Sequence, residues 1–134
     1  MPWEVEFDDA FEPEFDALPE AVQDELLARV RVLEQFGPQL GRPLVDTLDD
    51  SKHANMKELR FRCEDGLWRV AFAFDPRRRA ILLAAGDKLG ANQKKFYERL
   101  IETADARFDA HLEKLKKERE REKEKEKEKK AGKA

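Results

Sequence analysis

Residues 56–88 read MKELRFRCEDGLWRVAFAFDPRRRAILLAAGDK and contain three short runs of branched and aromatic residues. These runs span residues 56–63, 67–74 and 80–86, and residues typical of turns separate them. Runs of this length and composition are typical of β-strands. The stretch therefore predicts a three-stranded antiparallel meander, and the other elements are expected to pack around it.

The first turn of the meander sets the predicted register. Asp65-Gly66 is a strong signal for a two-residue hairpin loop, which would place Arg62 opposite Arg69. One face of the two strands is then apolar and carries Leu59, Phe61, Cys63, Trp68, Val70 and Phe72. The other face carries Glu58, Arg60, Arg62, Arg69, Ala71 and Ala73. A register shifted by one residue would bury guanidinium groups among aromatic rings, at a cost of several kcal/mol.

The third strand extends both predicted faces if Phe74 lies opposite Ile81. The apolar face then gains Ile81, Leu83 and Ala85, and the arginine face gains Leu82, Ala84 and Gly86. Two arginines directly opposite each other repel, so an anionic group is expected between them. The arginine face is predicted to be open, with small alanines that leave room for a nucleotide.

The elements outside the meander follow from periodicity. Residues 3–7 alternate apolar and acidic residues, which predicts a first strand, and residues 8–18 predict a short helical turn or a loop. An apolar stripe from Glu20 to Phe36 predicts the helix that covers the apolar sheet face. After a connector over residues 37–55 and the meander, a last helix is expected, with apolar residues at fourfold spacing.

The expected fold class is α+β, with a small antiparallel sheet made of the N-terminal strand and the meander. The sheet is expected to pack against helices and to end in a C-terminal helix. We predict one domain over residues 1–115. Residues 116–134 form a Lys/Glu-rich tail without an apolar face, which leaves a solvated helix and a disordered segment as alternatives.

Charge is segregated along this chain of 134 residues, whose formal net charge is −3. Residues 1–56 contain 4 Lys and Arg against 14 Asp and Glu, whereas residues 57–95 contain 10 against 5. The basic charge is therefore concentrated on the meander and the loop after it, as expected of a site for phosphate groups. The single cysteine, Cys63, and the lack of an apolar leader or membrane-length run predict a cytoplasmic protein.

Four short motifs in this order resemble the RelE/ParE superfamily, toxins of bacterial toxin–antitoxin systems. They are E-L-R at 58–60, W-R-V at 68–70, F-D-P at 74–76 and G-D-K at 86–88. The similarity is greatest to HigB-like and phage-related members and covers roughly residues 3–112. It implies a RelE-like fold and a toxin that cleaves messenger RNA, commonly on the ribosome. It also implies a cognate antitoxin partner, which we expect to be of the helix-turn-helix type.

The chemistry of the residues is compatible with this endoribonuclease activity. RNA is cut without a metal when its 2′-hydroxyl attacks the adjacent phosphate, provided that cations stabilise the developing charge and some group moves protons. The sequence has clustered cations and no metal-ligand pattern, so no metal and no cofactor are expected.

Residue roles follow from the match to the family motifs. The resemblance assigns phosphate binding and transition-state stabilisation to Arg60 and Arg69, with Arg62 beside them and Lys88 at the rim. The candidates for proton transfer are Lys57, Glu58, Asp87 and Tyr97. Further candidates for RNA binding are Arg77, Arg78, Arg79, Lys94 and Lys95.

Other readings of these residues remain open. Arg62 and Arg69 could instead pair with Glu58, Glu4 or Glu6 in a solvated charge network, and Tyr97 could be a packing residue. The whole chain could also be a non-catalytic toxin of the ParE type, which inhibits DNA gyrase, or an inactive member that only binds its antitoxin.

Overall fold

A computed structural model describes residues 2–132; residues 1, 133 and 134, at the ends of the predicted domain and tail, lie outside the described part. The strands are β1 (Glu4–Phe7), β2 (Val45–Thr47), β3 (Lys57–Cys63), β4 (Gly66–Phe74) and β5 (Arg79–Asp87). The helices are α1 (Phe11–Asp16), α2 (Glu20–Phe36) and α3 (Gln93–Gly132), with a 3-10 turn at Gly37–Gln39. The α+β class and the predicted order of elements are confirmed.

The strands form one mixed sheet in the order β1-β5-β4-β3-β2. β1 is parallel to β5, and the other neighbours are antiparallel. The expectation of a four-stranded antiparallel sheet was therefore wrong in two respects, the parallel edge and the extra strand β2. β2 has three residues in the connector, too few to show an alternating pattern in the sequence.

The predicted register of the first hairpin was wrong by two residues. Cys63 pairs with Gly66, so the two-residue loop is Glu64-Asp65, and Glu64 has a positive φ of 53°. Gly66 is needed inside the strand, because a Cβ there would lie 2.7 Å from Nε1 of Trp68. An offset of two residues preserves the side-chain alternation, so the predicted division into an apolar face and an arginine face holds for β3 and β4.

The predicted facing of the third strand was wrong over its first half. Ala71 pairs with Ala84 but Phe72 pairs with Leu82, which leaves Leu83 as an extra residue in β5. Leu82 consequently joins the core on the apolar face, and Ile81 and Leu83 lie on the opposite face. Beyond the bulge the prediction was correct: Ala85 lies on the apolar face and Ala84 on the arginine face.

Two hydrophobic clusters lie on opposite faces of the sheet. α2 covers the predicted apolar face through Val22, Leu26, Val30 and Leu33, as expected. α3 covers the other face through Leu100, Ile101, Ala104 and Phe108. The prediction that the arginine face is open was therefore wrong. Ala71 and Ala73 are fully buried under α3 and leave no room for a nucleotide. α3 packs on this face because Ile81 and Leu83 of β5 are apolar and become buried beneath it.

α3 continues without interruption through the charged segment to Gly132. Leu115 is buried, and the residues from Lys116 to Gly132 are mostly exposed. The domain boundary at residue 115 stays a prediction. No helix within residues 2–132 is long and apolar enough to cross a membrane.

Candidate functional site

Five side chains meet where β3, β4 and the start of α3 come together, and we call them the Glu58 cluster: Glu58, Arg60, Arg69, Lys88 and Tyr97. Strand alternation places Glu58 and Arg60 on one face of β3, and Arg69 lies directly opposite Arg60 on β4. Tyr97 comes from the second turn of α3, and Lys88 directly follows the last residue of β5.

One carboxylate oxygen, Oε1 of Glu58, is the centre of the cluster. The Tyr97 hydroxyl donates to it at 3.1 Å, and Nε of Arg60 and Nε of Arg69 lie 3.6 and 3.8 Å away. Arg69 also donates to the Tyr97 hydroxyl at 3.3 Å and to the carbonyl of Trp68 at 2.9 Å. Oε2 of Glu58 is buried and has no hydrogen-bond partner among the described residues.

Burial shifts the acid–base properties of the cluster. It raises the pKa of the Glu58 carboxyl, although the hydrogen bond from Tyr97 and the charges of Arg69 and Arg60 act in the opposite direction. Burial also raises the pKa of the Tyr97 hydroxyl, and the hydrogen bond from Arg69 opposes it. The pKa of Lys88 is lowered, first by burial and then by the charges of Arg69 and Arg60. The ammonium of Lys88 lies 5.6 Å from the centre of the Tyr97 ring, within the range of a cation–π contact.

Access to the cluster differs between its two arginines. The Arg69 side chain is 7 % exposed and the Arg60 side chain 32 %. The expectation that Arg69 lies on an open face was therefore wrong. α3 covers this face of the sheet, and Arg69 donates to the hydroxyl of Tyr97, a residue of that helix. Arg60, Lys88 and Tyr97 are each half-buried and are the members accessible from solvent.

Two of the predicted proton-transfer residues lie outside the cluster. Lys57 donates to the carbonyl of Pro38 at 3.0 Å and alternates with Glu58, on the face that α2 covers. The Asp87 carboxylate accepts the backbone N–H groups of Leu67 and Leu89 at 3.0 and 2.9 Å. Asp87 therefore links the end of β5 to the start of β4 through a side-chain hydrogen bond.

The arginine triplet lies at the opposite end of the β4–β5 hairpin from the Glu58 cluster. Arg77 is paired with Glu118 and Glu122 of α3, and Arg78 lies 4.6 Å above the Trp3 ring. Arg79 contacts Glu6 at 3.2 Å and the Asp75 carboxylate at 3.1 Å. These intramolecular partners favour a structural role for the triplet over contact with RNA.

Asp75, which Arg79 contacts, is a buried structural carboxylate. Burial acts to raise its pKa, but hydrogen bonds from His111 and Arg79 hold the pKa of Asp75 below its usual range. His111 lies 2.9 Å from the carboxylate. The contact joins α3 to the β4–β5 turn.

Two grooves flank the first turns of α3 and separate the predicted RNA-binding lysines. Lys95 lines a groove of about 560 Å³ with Arg99 and Arg107, which we call the basic groove. Lys94 lines a groove of about 790 Å³ on the other side, which we call the acidic groove. Its lining includes Glu58 and Tyr97 and the acidic residues Asp46, Asp49, Asp50, Glu98 and Glu102. Arg62 is exposed on the same face of β3 as Arg60.

Sequence reasoning missed the acidic groove. Its signals were present as the adjacent pair Asp49-Asp50 in the connector and as Glu98 and Glu102, four residues apart on α3. They lie far apart in the chain, and only the packing of α3 brings them together. Within residues 2–132, no group of three or more His, Cys, Asp or Glu side chains is placed to hold a metal ion.

Residues 13–109 match the family described as Phage derived protein Gp49-like (DUF891). This chain belongs to the Gp49-like family. It is 46 % identical over 93 residues to "Putative toxin HigB3" of Mycobacterium tuberculosis, a match that covers 69 % of this chain and 79 % of that protein. It is 49 % identical over 88 residues to "Putative toxin HigB2" of the same organism, where the match covers 65 % of this chain and 43 % of that protein. The Gp49-like chain is thus homologous to HigB-type proteins but spans less than half of HigB2.

The Gp49-like chain has a RelE-like fold. A mutant of the E. coli toxin RelE in the free state superimposes with a TM-score of 0.56 at 12 % identity, covering 75 % of this chain and 95 % of RelE. A chain of the archaeal RelE-RelB complex from Pyrococcus horikoshii OT3 superimposes with a TM-score of 0.50 at 19 % identity, covering 68 % of this chain and all of that one. The predicted RelE-like fold and the predicted similarity to HigB-like and phage-related proteins are confirmed.

Proposed function

We propose that this chain is the toxin of a toxin–antitoxin pair and that it cleaves messenger RNA in the cytoplasm, without a metal and on the ribosome. Homology to the HigB-type proteins supports the toxin role. The observation that carries the cleavage proposal is the Glu58 cluster, where Arg60 and Arg69 lie beside a hydrogen-bonded carboxylate and phenol and Lys88 lies over the phenol ring. Three positive charges against one negative charge leave a site suited to a phosphate group.

The accessible members of the cluster suit the reacting groups of RNA. The half-buried Arg60 offers a planar guanidinium to the phosphate oxygens and stabilises their charge as the 2′-oxygen bonds to phosphorus. The Tyr97 hydroxyl takes the proton of the 2′-hydroxyl while it passes its own proton to Glu58 Oε1, 3.1 Å away. Lys88, whose pKa is lowered, gives a proton to the 5′-oxygen as the bond from that oxygen to phosphorus breaks. Arg69 is buried, so we assign it to positioning Tyr97 and Glu58.

The test measures cleavage of ribosome-bound messenger RNA by the purified chain and by three variants. Tyr97→Phe keeps the ring and removes the hydroxyl, and Arg60→Ala removes the accessible cation. Each should lower the cleavage rate about a hundredfold or more, the scale of removing one positioned donor. Lys57→Ala is the matched control, because Lys57 lies on the other sheet face, and a chelator should change nothing. Full activity of Tyr97→Phe would contradict the proton relay.

A non-catalytic, ParE-type toxin is the second candidate, and the burial of Glu58 and Arg69 favours it. Glu58 and Arg69 are shielded from a bound RNA, which suits a protein that acts by binding DNA gyrase, or a member that only binds its antitoxin. The two candidates differ in cells after brief induction of the chain. Cleavage would produce new 5′ ends in transcripts, whereas gyrase binding would leave transcripts intact and trigger DNA-damage signalling.

An antitoxin partner is part of the same proposal. The Pyrococcus horikoshii relative was solved as a complex of RelE with RelB. We expect the present chain to bind a cognate antitoxin, with a helix-turn-helix element for DNA. Co-expression with the neighbouring open reading frame, followed by size-exclusion chromatography, would detect this complex.

A further inference from the structure

The acidic groove lies between the connector that follows β2 and the first turns of α3. One wall carries Asp49 and Asp50, and the other carries Glu98 and Glu102. All four residues are exposed, and within the described residues none of them has an ion-pair partner. These four carboxylates outnumber Lys94, which also lines the groove, and they repel one another, which favours a positively charged occupant.

Glu58 adds an independent observation in the same groove. Its side chain is 5 % exposed and lines the groove, yet its Oε2 atom has no hydrogen-bond partner among the described residues. A buried carboxylate oxygen without a donor is costly to leave unpaired. The groove therefore contains a buried acceptor that lacks a donor, next to a surface that attracts cations.

We propose that the acidic groove binds a lysine- or arginine-bearing peptide segment of a partner protein, with one basic side chain directed at Glu58. Around Asp49, Asp50, Glu98 and Glu102 the charge of the groove favours a basic polypeptide over RNA, because these carboxylates would repel phosphate groups. Arg60 and Lys88, the cations proposed to meet a phosphate, do not line this groove. An arginine side chain fits the need most closely, since its planar guanidinium can donate to a carboxylate and still bond neighbouring acids. The two acidic walls offer further partners to neighbouring basic residues of the segment.

Occupancy of the groove would act on the Glu58 cluster. A guanidinium that bonds Glu58 would compete with Arg60, which lies 3.6 Å from the same carboxylate. The peptide would also contact Tyr97, which lines the groove and bonds Glu58. A basic segment of a partner would in this way reach the cluster from the side opposite the basic groove.

Fluorescence anisotropy with a labelled oligo-arginine peptide at physiological salt tests this inference in the full chain. Glu98→Lys combined with Glu102→Lys should weaken binding by about tenfold or more, equivalent to 1.4 kcal/mol. The matched control is Glu120→Lys with Glu124→Lys, which makes the same charge change at the same spacing on α3, away from the groove. Control and wild type should bind the peptide within about a factor of two of each other.

Asp49→Asn with Asp50→Asn, on the opposite wall, provides a second variant if the lysine pair unfolds the chain, and it should also weaken binding. The inference would be overturned if the groove variants and the control lost affinity equally, or if none lost affinity. Tighter binding of a single-stranded RNA, lost in the same groove variants, would instead identify a nucleic-acid surface. No RNA cleavage is measured in these titrations, so their outcome is separate from that of the proposed function.

Discussion

Arg60 and Arg69 lie directly opposite each other on neighbouring antiparallel strands, and both guanidinium groups approach the same oxygen of Glu58, at 3.6 and 3.8 Å. Facing arginines repel, so an anionic group was expected between them. In the structure this group is the Glu58 carboxylate of the chain itself. Glu58 lies two residues before Arg60, on the same face of β3. The cluster is thus a partly neutralised cationic site that retains two positive charges if Lys88 is included.

Stability should depend on the protonation of Glu58. Burial raises its pKa in the folded chain above the ordinary value of 4.5, so the folded state holds the proton more tightly than the unfolded chain does. The stabilising contribution is present below pH 4.5 and is lost as the pH rises through the folded-state pKa. Glu58→Gln cannot ionise, so its free energy of unfolding relative to wild type should increase from about pH 4 to neutral pH. Urea unfolding over this range measures the difference, and a flat or falling difference would contradict the dominance of burial.

The two arginines should contribute unequally to folding. Arg69→Ala removes a buried partner of Tyr97, Trp68 and Glu58 and should cost about 3 kcal/mol of unfolding free energy. Arg60→Ala removes a more exposed partner of Glu58 and should cost less than about 1 kcal/mol. Chemical denaturation at neutral pH compares them. Equal losses would show that Arg69 is less enclosed than its contacts indicate.

Gly86→Ala should disturb the start of α3. A Cβ at this position would lie 2.8 Å from a ring atom of Phe96, which is in edge contact with Tyr97. Overpacking of this kind typically costs about 1–3 kcal/mol, and displacement of Tyr97 should lower any cleavage activity as well. Gly41→Ala serves as the control, because nothing lies within 4 Å of its Cβ and the change should stay below about 0.5 kcal/mol. Thermal melts of both variants would measure the contrast.

Removal of residues 117–134 should leave stability nearly unchanged. The charged part of α3 contacts the domain through Arg77, paired with Glu118 and Glu122, and exposed pairs contribute less than about 1 kcal/mol. A second truncation that removes residues 114–134 also deletes the buried Leu115 and should cost about 2 kcal/mol. The two melting temperatures would separate these effects. A large loss in the shorter deletion would show that the charged helix docks more strongly than its pairs suggest.

Local pattern was sufficient for much of the fold. The apolar stripe between Glu20 and Phe36 and the three runs of the meander predicted α2 and three strands close to their observed bounds. The division of β3 and β4 into two faces was also correct, because side-chain alternation depends only on the parity of the register. The two-residue error in the hairpin followed from reading Gly66 as a turn residue, whereas the glycine is needed to make room for Trp68.

The sequence by itself determined that Glu58, Arg60 and Arg69 share a face, because alternation along a strand and pairing between strands are local properties. Only the tertiary structure decided that α3 covers this face, that Arg69 is buried under Tyr97, and that Asp49 and Glu102 line one groove. The bulge at Leu83 contributes to that outcome, because it turns Ile81 and Leu83 toward α3. Such contacts join residues distant in the chain, and the free energy of burying both sheet faces, rather than any local preference, selects them.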